Sequence, residues 1–156
     1  MPDVSGITAL ALTAFYGLCV PGVSSGKIEQ TLPTSSLIPL TDGERREYAG
    51  AIEDQDTAFR LKSDEHFVLI TTKDGHCHVL TGNGDTQAAK EAFIASLKRA
   101  GGTEDESLSF TKDAKLLEVR GTIWTNPHHD GVVVGFTADK SGNKGFYAWA
   151  FGIHKD

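Results

Sequence analysis

The sequence predicts an α+β fold in which a single antiparallel sheet of about five or six strands carries helices packed on one face. Three observations support this prediction. Apolar residues recur at helical spacing over residues 7–18. Two β-prone runs flank an Asp-Gly turn at residues 73–75. Three alternating runs then fill the last third of the chain. Strands on both sides of one crossover helix indicate a single sheet covered by helices.

The first predicted element is an amphipathic helix near the N-terminus. Ser5 is a suitable cap for a helix over residues 7–18, and the Pro21-Gly22 pair should end it. Residues 21–40 are rich in Ser, Pro, Gly and Thr, with isolated apolar residues between them. We therefore expect residues 21–40 to form an extended surface excursion over the fold.

The middle of the chain contains the clearest hairpin signal. A short helix over residues 44–52 and a polar connection over residues 53–58 are expected to precede it. Strands are then predicted at residues 67–72 and 76–81, because both runs are β-prone and a Lys-Asp-Gly turn separates them. The pattern predicts an antiparallel pair.

A second helix and a group of strands complete the predicted fold. The helix opens at Asp85 or Thr86, runs to Ala100 and ends at a Gly-Gly pair. Apolar and polar residues then alternate in three runs separated by turn residues, which predicts an antiparallel meander. The three predicted strands cover residues 115–125, 131–138 and 145–154.

Size and charge limit the class of protein. With 156 residues, 39% of them hydrophobic, the chain is long enough for one core and too short for two. Residues 1–156 are therefore expected to form a single domain. The net charge of -6 and the lack of a basic segment argue against a nucleic-acid partner. No apolar run approaches the roughly 20 residues that cross a bilayer, so we expect no membrane span.

The two cysteines predict one structural disulfide. Cys19 lies at the end of the apolar helix and Cys77 lies in a predicted strand, so a bond between them would join the helix to the sheet. Such a bond indicates an oxidising compartment, and we expect a periplasmic or secreted protein. The segment around Ile7 has neither the pattern of a secretory signal nor a lipobox, so we expect a leader to have been removed already. A cytoplasmic protein with two buried, reduced cysteines is the alternative.

The histidines are the candidate metal ligands. His76 and His78 are two residues apart on a predicted strand, so both imidazoles lie on one face, and His128 and His129 precede Asp130 in a turn. If that turn folded over the hairpin, these side chains could hold a metal ion. The competing interpretation is an ordinary polar surface, because no HExxH or CxxC motif supports a closed site. We expect no cofactor.

A cysteine–histidine nucleophile pair is a further alternative. Neighbouring residues of a strand point to opposite faces, so neither His76 nor His78 can contact the Cys77 sulfur. Only a distant histidine, such as His66 or His154, could activate it. The disulfide interpretation of Cys77 is preferred.

The last strand separates two kinds of side chain. Strict alternation places Tyr147, Trp149, Phe151 and Ile153 on one face, and the other face receives Phe146, Ala148 and Ala150. We expect the aromatic row to pack against the helices. The alternative is that part of this row forms a partner-binding patch.

Three short motifs resemble those of a family of small exported bacterial proteins of unknown function, lipoproteins among them, which carry one helix cysteine and one strand cysteine. The motifs are Phe-x-x-x-Cys at residues 15–19, Asp-Gly-x-Cys at residues 74–77 and the Ala92-Phe93 pair. The resemblance implies a cell-envelope location and a paired Cys19 and Cys77. It implies no activity, substrate or catalytic residue.

These observations favour a non-enzymatic, exported binding domain. A protein partner or a small ligand would bind through the sheet face, residues 21–40 or the hairpin. The first alternative is a metal-dependent or other hydrolase using His76, His78 and the turn at residues 128–130. The second is an inhibitor or immunity-type protein that engages a basic partner electrostatically.

Overall fold

A computed structural model gives the architecture of the chain. It describes residues 6–25, 37–48, 52, 56–61, 64–72, 74–82, 85–104, 116–126, 130–139 and 145–154.

The helical elements include one π-helical turn. It covers Phe15–Cys19 and joins two α-helices into one continuous N-terminal segment. The α-helices are α1 (Gly6–Ala14), α2 (Val20–Ser25), α3 (Asp42–Glu47) and α4 (Thr86–Arg99).

The described residues form eight strands in one sheet. The strands are β1 (Leu37–Pro39), β2 (Thr57–Leu61), β3 (Asp64–Thr71), β4 (Cys77–Thr81), β5 (Thr103–Glu104), β6 (Leu116–Asn126), β7 (Asp130–Asp139) and β8 (Phe146–His154). In spatial order they are β1-β2-β3-β4-β8-β7-β6-β5, and every neighbouring pair is antiparallel. After β4 the chain crosses through α4 to the far edge, and β5 to β8 then return to pair with β4.

The sheet has more strands than the five or six predicted. The prediction of a single antiparallel sheet in a mixed α and β fold is confirmed. The strands without a clear sequence signal are short: β1 has three residues, β2 five and β5 two. The polar connection expected at residues 53–58 overlaps the start of β2 at Thr57. Runs this short carry too few alternations for a period of two to be recognised.

The N-terminal helix continues past the residues expected to end it. Pro21 and Gly22 lie inside α2, so the predicted stop is wrong. The π turn gives the reason. The backbone N–H of Val20 donates to the carbonyl of Phe15, five residues back, and a new α-helical segment begins at Val20. Proline is tolerated in the first turn of such a segment. Residues 26–36 of the expected surface excursion lie outside the described residues.

The hairpin and the second long helix agree with the sequence prediction. Gly75 adopts φ +83° in the turn between β3 and β4, and its N–H donates to the Thr72 carbonyl at 3.0 Å. The Asp85 carboxylate accepts a hydrogen bond from the N–H of Ala88 at 3.0 Å and so caps α4. Gly101 follows the helix at φ +81°, a conformation that favours glycine.

Two apolar clusters lie on opposite faces of the sheet. In the larger cluster, α1 contacts β3 and β4, α2 contacts β7 and β8, and α4 contacts β6 and β7. Phe15 and Phe93 are fully buried there. The smaller cluster lies on the other face and joins residues next to α3 to side chains of β2, β3 and β4. Its members are Leu40, Ile52, Ala58, Val68 and Ile70, with Tyr48 and Leu80 packed against them.

A disulfide joins the N-terminal helical segment to the centre of the sheet. Cys19 ends the π turn and Cys77 begins β4, and both side chains are fully buried. The structure places the two sulfur atoms at bonding distance, with the Cα atoms 5.4 Å apart. The pairing is the one that the sequence predicts.

A candidate binding face of the sheet

The aromatic row of β8 faces away from α1, α2 and α4. Ala150 lies opposite Cys77 and Ala148 lies opposite Val79, and all four residues belong to the cluster that contains the helices. Alternation therefore places Tyr147, Trp149 and Phe151 on the other side. The prediction that this row packs against the helices is wrong. Small alanines are better suited to the helix side, because they let the helical segment carrying Cys19 approach the sheet closely.

Trp149 lies flat against a neighbouring strand because that strand has no side chain there. Gly135 of β7 is paired with Trp149, and a Cβ at residue 135 would overlap the indole ring. Arg120 of β6 is paired with Gly135, and its Cζ lies 5.2 Å from the centre of the indole ring. This is the geometry of a cation–π contact. Three strands therefore hold the indole in one orientation.

The rings of β8 continue into the histidines of β4. The Trp149 and Phe151 rings are nearly parallel, at 9°, with centres 5.4 Å apart. The Phe151 ring lies 5.5 Å from that of His76, and the Tyr147 ring lies 5.4 Å from that of His78. These five side chains are half-buried, and Trp124 of β6, on the same side of the sheet, is 40% exposed. We call this surface the aromatic face: His76, His78, Arg120, Trp124, Tyr147, Trp149 and Phe151.

A polar pair lies within the aromatic face. The Tyr147 hydroxyl and Nδ1 of His78 share a hydrogen bond. Burial lowers the pKa of His78 to about 4, with a further decrease from His76 and an opposing effect from the Asp56 carboxylate. Burial also raises the pKa of Tyr147 to about 12, and the Asp56 carboxylate adds to that increase. Both groups are therefore neutral near pH 7.

The lowered pKa of His78 predicts a loss of stability in acid. Because the unfolded chain takes up this proton near pH 6.5 and the folded chain near pH 4, the free energy of unfolding should fall as pH decreases between these values. The slope has an upper limit of about 1.4 kcal/mol per pH unit, which the remaining solvent contact of the ring reduces.

Chemical denaturation of the protein and of His78→Gln at several pH values tests this prediction. The difference at pH 8, where His78 is neutral in both states, gives the cost of the substitution itself. The difference in the free energy of unfolding between the two proteins should become smaller as pH decreases from 6.5 to 4. A difference that stays constant over this range would contradict the lowered pKa of His78 in the folded protein.

The structure brings together two of the four candidate metal ligands. His76 and His78 lie on the same face, with ring centres 6.4 Å apart, but Nδ1 of His78 is engaged with Tyr147. His128 and His129 lie outside the described residues, and Asp130 begins β7. Within the part of the chain that the structure describes, no three His, Cys, Asp or Glu side chains form a group that could hold a metal. The metal site stays a prediction.

Two features of the site cannot be predicted from the sequence. The contact of Tyr147 with His78 and the contact of Trp149 with Gly135 both depend on which residues of neighbouring strands are opposite each other. The strand pattern does not contain that information. The predicted disulfide indicates the orientation of the β4 side chains. A Cys77 that is bonded to a helix must face that helix, so alternation turns His76 and His78 to the opposite face.

Comparison with known proteins adds no family to this description. No protein-family model, no curated protein and no solved structure matches the chain. Among the helices of the described residues, none is both long and apolar enough to span a membrane. The residues of the aromatic face are therefore the basis for inferring a function.

Proposed function

We propose that this chain is an exported, disulfide-bonded binding domain without enzymatic activity, and that a protein partner docks on its aromatic face. One observation carries the proposal: both tryptophans of the chain, Tyr147 and Arg120 lie together on one side of the sheet. Tryptophan, tyrosine and arginine are the residues enriched at the energetic centres of protein interfaces. The large, rigid rings of tryptophan and tyrosine bury much area at low cost in side-chain entropy.

The two faces of the sheet have different roles in this proposal. Helices α1, α2 and α4 pack on one face and build the core. The aromatic face is the surface that the partner covers. Its ring contacts and the Tyr147–His78 hydrogen bond hold the side chains in place before binding, which reduces the entropy lost on docking.

Charge indicates the kind of partner. The chain has a net charge of -6, so electrostatic attraction favours a partner with a basic surface. An inhibitor or immunity-type protein that binds a basic enzyme would be one such case. The metal-dependent hydrolase alternative has less support, because Nδ1 of His78 is engaged with Tyr147 and no three His, Cys, Asp or Glu side chains among the described residues form a group that could hold a metal.

The location outside the cytoplasm rests on the disulfide and on the family resemblance. A bond between Cys19 and Cys77 persists in an oxidising compartment such as the periplasm or the cell exterior. The motifs at residues 15–19 and 74–77 resemble those of small exported bacterial proteins. Thiol titration in denaturant, without reductant, should find no free thiol in protein isolated from its host. Two free thiols would contradict the proposed location.

Capture from an envelope extract of the host tests the binding proposal. The immobilised protein should retain one stoichiometric partner, and Trp149→Ala should weaken its binding by about 30-fold, which corresponds to about 2 kcal/mol. The matched control is Leu10→Ala, which removes a large side chain that is 49% exposed on α1, outside the aromatic face. Equal binding by wild type and Trp149→Ala, or loss of binding in Leu10→Ala alone, would refute the proposal.

A further inference from the structure

A second candidate site lies between two helices, away from the aromatic face. A groove of about 540 Å³ separates α1 and the π turn from α4. This volume lies within the range of about 300–1,000 Å³ that is typical of small-molecule sites. Leu12, Tyr16 and Gly17 form part of one wall, and Ala92, Ser96 and Arg99 form part of the other.

The floor of the groove is apolar although it contains a tyrosine. The Tyr16 hydroxyl donates to the Phe93 carbonyl at 2.9 Å, so its polar group is already bonded inside the protein. Burial raises the pKa of Tyr16, which therefore stays neutral at physiological pH. The Tyr16 ring packs with those of Phe15 and Phe93. A ligand in the groove would meet mainly carbon at this position.

The π turn leaves open space at one wall. Gly17 is the central residue of the turn, and a Cβ at this position would meet no atom within 4 Å. π turns of this kind occur frequently at functional sites. The neighbouring positions Ala9 and Ala92 are also small. The groove therefore has space for a chain of methylene groups along this wall, and larger side chains at residues 9 and 17 should narrow it.

One cation lies at the edge of this groove. Arg99 is the only charged residue among the described residues that line it, and residues 6–25 include no charged side chain. An Arg99 Nη2 group donates to Ser96 Oγ at 3.1 Å, which holds the guanidinium at the wall. An apolar groove with a single cation at its rim is complementary to a ligand with an apolar chain and one anionic group.

We propose that this groove binds a free fatty acid of medium chain length. The acyl chain lies along Leu12, Tyr16 and Ala92, and the carboxylate pairs with Arg99. This site is separate from the aromatic face. The fatty-acid proposal and the protein-binding proposal can therefore be tested independently of each other. Its ligand is identified by one apolar chain and one carboxylate.

Decanoate is the probe that tests the site, because it is soluble as a monomer. Isothermal titration should give saturable binding at one site, and decyltrimethylammonium, with the same chain and the opposite charge, should bind at least tenfold more weakly. Arg99→Gln should weaken decanoate binding about tenfold or more. The matched control is Lys98→Gln, which removes the same charge from the neighbouring residue, outside the groove lining.

Two filling variants test the position of the chain. Gly17→Leu and Ala9→Leu should each reduce decanoate binding at least tenfold, and both should retain the circular-dichroism spectrum and cooperative melting of the wild type. If one variant fails to fold, decanoate binding by the other still tests the position of the acyl chain.

Tryptophan emission distinguishes this groove from the aromatic face. Trp124 and Trp149 both lie on the aromatic face, so decanoate bound in the groove should leave their emission unchanged. The proposal is overturned by any of four results: no saturable binding, equal losses in Arg99→Gln and Lys98→Gln, wild-type affinity in both filled variants, or a decanoate-dependent change in emission that Trp149→Ala removes.

Discussion

Reduction of the Cys19–Cys77 bond is expected to lower the free energy of unfolding by about 4 kcal/mol. The two cysteines are separated by 58 positions, and a loop of this length gives about that value on the chain-entropy account. For a chain of this size the melting temperature should fall by roughly 10 °C. The bond has this effect because it limits the separation of the helical segment and β4 in the unfolded chain.

Calorimetry with and without reductant measures the effect directly. The control is the double variant Cys19→Ala, Cys77→Ala, whose melting temperature reductant should not change. Because both cysteines are fully buried, reduction should also require partial opening of the fold and proceed slowly under native conditions. Equal melting temperatures of the wild type with and without reductant would show that the bond is absent or does not stabilise the fold.

Phe93→Ala is expected to destabilise the protein by about 3–5 kcal/mol. Phe93 is fully buried on α4, and its ring centre lies 5.8 Å from that of Phe15, 5.5 Å from that of Tyr16 and 5.3 Å from that of Phe136. One side chain therefore joins the N-terminal helical segment, α4 and β7. Removing it leaves a cavity between three elements that cannot all close in.

Urea denaturation of Phe93→Ala gives this free energy. Leu10→Ala is the matched control, because it also removes a large apolar side chain from a helix, but one that is 49% exposed. Its cost should stay within about 0.5 kcal/mol. A loss of stability in Phe93→Ala as small as that in Leu10→Ala would contradict the packing of α4 against the N-terminal helical segment.

Strong local signals made the prediction of several elements possible from the sequence. The hairpin around Gly75 is correct because an Asp-Gly turn between β-prone runs has few other solutions. Helix α4 is correct because an Asp85 cap, an apolar stripe and a Gly-Gly pair agree on its limits. The three-strand meander near the C-terminus is also correct, because its strands have nine to eleven residues and show many alternations.

The errors occurred where local patterns lack the deciding information. Hydrophobic size predicts the wrong face for the aromatic row, because Ala148 and Ala150 are the residues of β8 that lie in the cluster with α1, α2 and α4. Alternation separates two faces but does not say which one is covered. The N-terminal helical segment continues beyond its predicted end, because a π turn ahead of Pro21 leaves no signal in the sequence.

Only part of the candidate site can be predicted from the sequence, because local patterns do not show which strands are neighbours. The shared face of His76 and His78 follows from strand alternation alone. The role of Gly135 does not, because a glycine in a strand acquires meaning only when the residue opposite is known to be Trp149. The contribution of Asp56 to the pKa of His78 likewise depends on the fold, since the two residues are far apart in sequence.

Oxidative footprinting of the free protein and of its complex with a partner captured from the envelope extract shows whether the aromatic face is the docking surface. It needs no substitution, and mass spectrometry reports each oxidised residue separately. We expect Trp124, Trp149 and Phe151 to become protected in the complex while Leu10 on α1 remains as reactive as in the free protein. Unchanged oxidation of these three aromatic residues, with protection of Leu10 instead, would overturn the proposed docking face and place the partner on the side of α1.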